Sequence, residues 1–362
     1  MKTDFRAAAD RDIWVQFFAL LFIISGVFSL HYLVRGRQAR QAPPDQRAEP
    51  VEERARPASS KKPVRWTVSP VKGGDADFST LGAAVEAAKD GDTILLRPGT
   101  YTGSVQVSKS ITITGGGDSP DEVTLTCGKS ETLVVTGGSV ILSNLTLANK
   151  SLSNYWALDL SDAILTMRRV KLSSSGSGLR IQDGEANISD STLEGRRGLF
   201  VTGRSKVAVT RSRLAGEEAG ISADGGEVNL RVDECVLKNG QGTGLAAARF
   251  AAVSVNDTTI IGNTLAAVSV YDGAQVKIKG SVISGNRECG VILDSGGQVS
   301  LDRTTVSRNK CGVGFSGPGA LEARDSVFSD LAMGTVAIKE GYEDAVTIRG
   351  RGNTGLKIPY RK

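Results

Sequence analysis

From about Glu131 to Met333 one pattern is written again and again, in rows of roughly 22 residues. Thr243-Gly-Leu-Ala-Ala-Ala begins one row, and Val253-Ser-Val-Asn-Asp-Thr-Thr-Ile-Ile-Gly-Asn263 ends it. Cys289-Gly-Val-Ile-Leu-Asp begins another, ending on Val299-Ser-Leu-Asp-Arg-Thr-Thr-Val-Ser-Arg-Asn309. Apolar marks hold the register: Leu147, Leu172, Leu193, Leu214, Leu237, Ile261, Ile283, Val306 and Phe328, spaced 21 to 25 residues apart. Two or three residues after the later marks stand Asn239, Asn263, Asn286, Asn309 and then Asp330. A repeat this regular constrains the fold more than any other feature of the chain.

Each row contains short alternating or β-branched runs, such as Val253-Ser-Val and Val276-Lys-Ile, broken by Gly, Asn, Asp and Ser. These are strand and turn signals. One row is too short to bury an apolar face alone. Stacked rows bury it against each other at about 4.8 Å per layer, with equivalent side chains in columns. The Leu/Ile/Val marks then form an interior column. The asparagines form a turn ladder, in which amides bond to the layers above and below and Asn tolerates the left-handed conformation. Aromatic content of 5% and 43 glycines suit a narrow aliphatic core with many tight turns.

This pattern, from Thr67 to Gly355, resembles the right-handed parallel β-helix of the pectate lyase-like superfamily. The resemblance implies an all-β solenoid over 65–362, with three strands and three turns per coil and about ten to twelve coils. Before the repeats, Leu81-Gly-Ala-Ala-Val-Glu-Ala-Ala-Lys reads as a short amphipathic helix, with Ser79 or Thr80 as its cap. The turn Gly91-Asp92, the strand Thr93-Ile-Leu-Leu and the turn Pro98-Gly-Thr-Tyr101 follow. This opening is similar to that of pectin methylesterases, where a helix covers the N-terminal end of the coil. A solenoid has no lateral edges, but its ends need such covers. The segment from Glu340 to Lys362 is expected to blunt the other end.

The chain of 362 residues also carries an appendage. After a short mixed-charge tail (1–12), no residue from Ile13 to Leu30 is charged, and the apolar run extends to Val34. Residues 13–34 are long enough to cross a bilayer as a single-pass helix; a cleaved signal peptide is the rival reading. Residues 35–64, rich in Arg, Gln, Glu, Pro and Ala, form a disordered linker stiffened by proline. Lys2, Arg6 and Arg11 before the span balance Arg35, Arg37 and Arg40 after it, so charge does not set orientation. The resemblance to a mostly secreted fold puts the C-terminal domain outside the cytoplasm, periplasmic or extracellular.

No polysaccharide-enzyme signature is present. The only histidine, His31, lies in the apolar span. The Gly-His-Gly of polygalacturonase-like enzymes, the Gly-x-x-Asp-Phe-x-Phe-Gly of pectin methylesterase-like enzymes and the Asp-Pro-His-Asp of alginate epimerase-like enzymes are missing. Pectate lyases need only carboxylates for Ca²⁺ and a basic residue, a set with little linear signature. Gly115-Gly-Gly117-Asp118 lacks the Lys-Ser/Thr and helix of a phosphate loop. Interleaved basic and aromatic residues, as single-stranded nucleic acid requires, are missing too, so no nucleic-acid partner is expected.

Three residues before four successive marks stand Arg169, Asp190, Arg211 and Glu234, alternating in sign. They read as a salt-bridge ladder fixing register, or, with Arg180 and Arg213, as a basic face for an acidic polymer. Asp159, Asp183, Asp224, Asp272 and Asp294 fall near the first turns of their rows. They read as turn formers or, alternatively, as carboxylates lining a groove that holds Ca²⁺; Asp183 and Asp190 are the candidate carboxylates of the site. The four cysteines have neither a disulfide-framework nor a metal-ligand spacing. Cys289 and Cys311 open successive rows and should stack, as small turn residues or, outside the cytosol, as a disulfide. The functional expectation is a membrane-anchored, non-enzymatic envelope module without cofactor or metal, binding a glycan or an envelope partner. The alternative is a lyase, with Ca²⁺, or a hydrolase acting on an acidic polysaccharide.

Overall fold

The computed structural model describes residues 62–71, 75–151, 155–238 and 240–358. The tail 1–12, the span 13–34, most of the linker 35–64 and Asn239 lie outside the described residues. Among the described residues, no helix is long and apolar enough to cross a membrane.

The repeats build a parallel β-solenoid of about eleven turns, each of about 23 residues. Three sheets wrap the core. Sheet A runs from Val105–Val107 and Leu133–Thr136 to Val336–Ile338. Sheet B runs from Arg65–Val68 and Thr93–Leu96 to Val346–Arg351. Sheet C runs from Gly99–Thr102 and Val123–Cys127 to Val327–Ser329. Each strand pairs in parallel with its equivalents one turn before and one turn after.

Alternation places every second side chain inside. On sheet C the interior column is Leu147, Leu172, Leu193, Leu214, Leu237, Ile260, Ile283, Val306 and Phe328. The expected mark at Ile261 is corrected by one residue: Ile260 pairs with Leu237 and is fully buried, while Ile261 faces outward, half-buried. Two adjacent isoleucines leave the choice open in sequence, and the pleat then allows only one of them inside.

A single left-handed residue makes the corner between sheets B and C. Asn144, Arg169, Asp190, Arg211, Glu234, Asp257, Gly280, Arg303, Asp325 and Gly352 all have φ between +44° and +68°. The charged column seen in the sequence is therefore first a column of corner residues. The next position is a buried hydroxyl ladder. Val170 N donates to Ser191 Oγ and Ser191 N to Ser212 Oγ, both at 3.1 Å. Cys235 Sγ takes the place of a hydroxyl, 3.5 Å from Ser212 N, and Cys235 N donates to Thr258 Oγ1 at 3.1 Å. Each hydroxyl also donates to the carbonyl two residues back, as Ser212 Oγ does to Thr210 O at 2.8 Å.

At the corner between sheets C and A, Asn263 Nδ2 donates to Asn286 Oδ1 and Asn286 Nδ2 to Asn309 Oδ1, both at 3.0 Å. The left-handed positions expected at these asparagines are one residue earlier, at Gly262, Gly285 and Arg308. Asp330 occupies that earlier column as well. The amide of Gly240 donates to Asn263 Oδ1 at 3.1 Å and starts the ladder. A disulfide joins Cys289 to Cys311, across two successive turns with Cα atoms 4.3 Å apart.

The N-terminal end is covered by helix α1, Leu81–Ala87. Thr80 Oγ1 accepts from Ala83 N at 3.3 Å, and Leu81, Ala84 and Val85 are buried. Lys109 Nζ donates to the carbonyls of Val85, Glu86 and Ala88 at 2.7 to 2.8 Å, satisfying orphan groups at the helix C-terminus. At the other end, the segment after Glu340 does more than blunt the coil. Val346–Arg351 continues sheet B, and Thr354 bridges to Val327.

Candidate functional site

The strands Thr192–Thr202 and Arg213–Asp224 run from sheet C into sheet A without a break, and their register shifts between Gly195 and Arg197. Such a bulge re-aims side chains at the corner. Gly195 pairs with Gly216, and Gly240 follows one turn on. A Cβ on Gly216 would stand 1.9 Å from Ala219 O, so the backbone comes too close for any side chain. A hollow of about 320 Å³ is lined by these three glycines together with Glu194, Arg213, Ala215, Glu217, Lys238 and Gln241. A second hollow of about 430 Å³ lies toward the B–C corner, lined by Asp190, Ser191, Thr192, Arg211, Ser212, Arg213, Glu234 and Val236. Arg213 lines both. The result is a shallow polar cleft running across sheet C.

The four arginines of the expected basic face are not gathered in it. Arg211 and Arg213 line the cleft, Arg169 reaches back along the B–C corner, and Arg180 stands on sheet A. Arg169 Nη2 donates to the carbonyl of Asp118 at 2.6 Å rather than to Asp190. Asp190 instead accepts from Arg211, Nε at 2.9 Å, and lies 4.0 Å from Arg168. The alternating ladder is thus formed at the rung between Asp190 and Arg211. Asp190 hydrogen bonds, then its charge, hold the Arg211 guanidinium above its ordinary range, and Glu234 adds to this.

Arg180 grips Asp159 with two nitrogens, Nε to Oδ1 at 2.6 Å, and lies 5.9 Å from the Trp156 ring centre. Hydrogen bonding to Asp159 raises the Arg180 guanidinium, against the opposing effect of burial. Trp156 and Phe200 stack with centroids 5.9 Å apart, and Arg197 stands 5.2 Å over Phe200. Glu218 holds Arg196 and Arg197 together. These groups satisfy one another on the face of sheet A. Arg213 makes no ion pair among the described residues. It is exposed and lines both hollows.

The candidate carboxylates do not fit a Ca²⁺ site. Asp183 accepts from Arg204 N at 2.8 Å, Asp190 is held by Arg211 and Asp159 by Arg180. No group of three or more His, Cys, Asp or Glu side chains that could hold a metal ion occurs among the described residues. Ca²⁺ needs six to eight converging oxygens.

The sequence pattern names Arg213 as part of a basic face and does not foresee the cleft that it lines. The available signal was the column of glycines at one place in three successive rows.

A fold and a cleft of this kind define a β-solenoid with a lateral polar surface, and comparison with known proteins agrees on the fold. The profile of the family described as "Right handed beta helix region" matches residues 157–306 and 219–354. The chain belongs to that family. An F-box protein of Arabidopsis thaliana, SKIP5, is 28% identical over 165 residues, which cover 43% of this chain and 60% of that protein. The match thus spans less than two thirds of the curated relative. The solved A-module of the Azotobacter vinelandii mannuronan C-5 epimerase AlgE4 is similar with a TM-score of 0.59 and 14% identity. That similarity covers 76% of this chain and 90% of the module. A variant of the periplasmic alginate epimerase AlgG gives a TM-score of 0.52 at 11% identity, covering 73% of this chain and 77% of that one. At these identities the likeness is one of fold alone.

Proposed function

We propose that the protein is a non-catalytic, membrane-anchored β-helix module whose sheet C cleft binds an acidic glycan outside the cytoplasm. The observation that carries this reading is Arg213, a cation without an ion-pair partner among the described residues, shared by two adjoining hollows. A guanidinium presents a fork of donors that matches a carboxylate. The flanking Glu194, Glu217, Lys238 and Gln241 supply donors and acceptors for hydroxyl groups, as an extended sugar chain requires. A long row of equivalent turns suits a polymer better than a small molecule. Two structural neighbours are named for mannuronan and alginate, which is consistent with a polysaccharide ligand.

The proposed location draws on two features. The run 13–34 has the length of a membrane span. The Cys289–Cys311 disulfide suits an oxidising compartment. The test uses the full-length protein with oligogalacturonate and oligomannuronate in a binding titration. Arg213→Ala is expected to weaken binding about tenfold, with a reduced salt dependence. Release of unsaturated or shortened product would overturn the non-catalytic reading. Binding that ignores Arg213→Ala would remove the cleft from it.

A further inference from the structure

One outward column of sheet C runs from the cleft into the earlier turns. Thr146 pairs with Lys171, Lys171 with Thr192 and Thr192 with Arg213. Lys171 therefore stands two turns before Arg213 on the same face, about 10 Å away at one layer spacing per turn. Thr192, between them, already lines the second hollow. The column thus carries two cations with a hydroxyl between them, and the hollows take in only Arg213.

Lys171 is engaged by a strap. From Asn144 onward a single left-handed residue makes the corner between sheets B and C. In the turn before, residues 116–122 intervene between the strands Thr112–Gly115 and Val123–Cys127. The short 3-10 turn Pro120–Glu122 in this strap lies against the next strands of sheet C. Thr146 Oγ1 donates to Pro120 O at 3.0 Å. Asp121 Oδ1 accepts from Lys171 Nζ at 2.9 Å and lies 3.4 Å from Thr146 Oγ1. Arg169 Nη2 ties down Asp118 O at 2.6 Å. Glu122 Oε1 accepts from the amides of Asp118 and Ser119 at 2.9 and 3.0 Å, so the strap keeps its own shape. A carboxylate of the chain itself is therefore held on the outer column by an ammonium and a hydroxyl.

We propose that Lys171 and Thr146 form a second carboxylate subsite of the sheet C cleft, which Asp121 fills until a polyuronate displaces it. This inference rests on the acidic-glycan reading of the cleft. The subsite has shown its chemistry, because a carboxylate already occupies it. The Lys171 and Asp121 side chains are 42% and 62% exposed, and ion pairs so exposed are weak. A ligand carboxylate competes with Asp121 on equal terms, and one tethered through Arg213 does so at a high effective concentration. An extended uronate chain turns alternate residues to one side. Two of its carboxylates can then meet Arg213 and Lys171, with the intervening sugar over Thr192. The ligand class is accordingly a chain with a carboxylate on every residue, rather than a neutral glycan with isolated charges.

The test titrates the full-length protein with hexagalacturonate. Lys171→Ala is expected to weaken binding about fivefold, and Asp121→Asn to tighten it about threefold. Lys171→Arg should retain binding. In the Lys171→Ala background Asp121→Asn should have no effect, because the site for which Asp121 competes is gone. Neither side chain belongs to the buried core, so the variants keep the fold. Amide exchange over residues 118–122 should rise when the hexamer binds, as the strap gives way. The inference is overturned, with the cleft reading intact, if binding depends on Arg213 but not on Lys171. It is equally overturned if Asp121→Asn fails to tighten binding, if it tightens binding as much without Lys171, or if exchange over the strap does not rise. If the hexamer does not bind at all, the reading of the cleft fails and this subsite fails with it.

Discussion

Asp190 accepts two hydrogen bonds from Arg211, which stands one turn further along the B–C corner, Nε at 2.9 Å and Nη2 at 3.1 Å. Both residues have left-handed backbones, and the pair closes one end of the cleft. The Arg211 hydrogen bonds hold the Asp190 carboxyl below its ordinary range, against a smaller opposing effect of burial. A carboxyl depressed in the folded state stabilises fully above its unfolded pKa, and that contribution is lost as pH falls through the folded value. Asp190→Asn is therefore expected to lower the melting temperature slightly at neutral pH. The deficit should close in acid. Melting curves across that range decide it, and a deficit constant with pH would contradict the pairing.

Register makes a sharper test. Ile260 is in the interior column and Ile261 is outside it. Ile260→Ala should cost about 3 kcal/mol, the transfer term plus the cavity left in a close-packed column. Ile261→Ala should cost under about 1 kcal/mol. Urea unfolding of the two variants measures both. Equal costs would mean that the column is misassigned.

Asn286 is 2% exposed and holds the middle of its ladder. It accepts from Asn263 N and Nδ2 and donates to Ile260 O, Ser284 O and Asn309 Oδ1. Asn286→Ala leaves several buried partners unsatisfied and should destabilise by about 3 kcal/mol. Amide exchange of Asn263 should rise more than that of residues several turns away, since turns contact mainly their neighbours. Uniform acceleration along the whole solenoid would argue against a local ladder.

Cys235 occupies a hydroxyl position in the B–C ladder, and burial pushes its thiol up to about 11. Cys235→Ser should be tolerated, because serine or threonine fills this place in neighbouring turns. Cys235→Val removes the acceptor for Ser212 N and should cost about 1–3 kcal/mol. For Cys127, burial raises the thiol, but the Ser130 hydroxyl and the amides of Lys129, Ser130 and Gly128 outweigh it, so it lies below its ordinary range. Alkylation of the folded protein should accordingly modify Cys127 before Cys235. The reverse order would refute these assignments.

The solenoid was legible because its period is written in residue types that only a stack of strands satisfies. Leu193, Leu214 and Leu237 repeat, and the structure lays them over one another. Local ambiguities were not legible. Ile260 and Ile261 are chemically identical neighbours, and the pleat distinguishes them only through cross-strand pairing. The hydroxyl ladder was overlooked because Ser and Thr in a turn have many possible local partners. Only stacking makes Ser191 Oγ the acceptor for Val170 N.

The candidate sites diverged further. Residue pattern was enough for a repeating β architecture, its approximate period, the capping helix at Leu81–Ala87 and a chain whose basic residues cluster in the middle rows. Which arginines meet depends on how the turns wind over one another. Arg180 and Arg211 look equivalent in a list of charges, yet one is gripped by Asp159 on sheet A and the other by Asp190 at a corner. Arg213, two residues from Arg211, lines a cleft beside three stacked glycines. Periodicity specifies which residues share a column, because it reflects local alternation. Charge pairing and cavities depend on directions and distances between turns, and those exist only once the chain has wound.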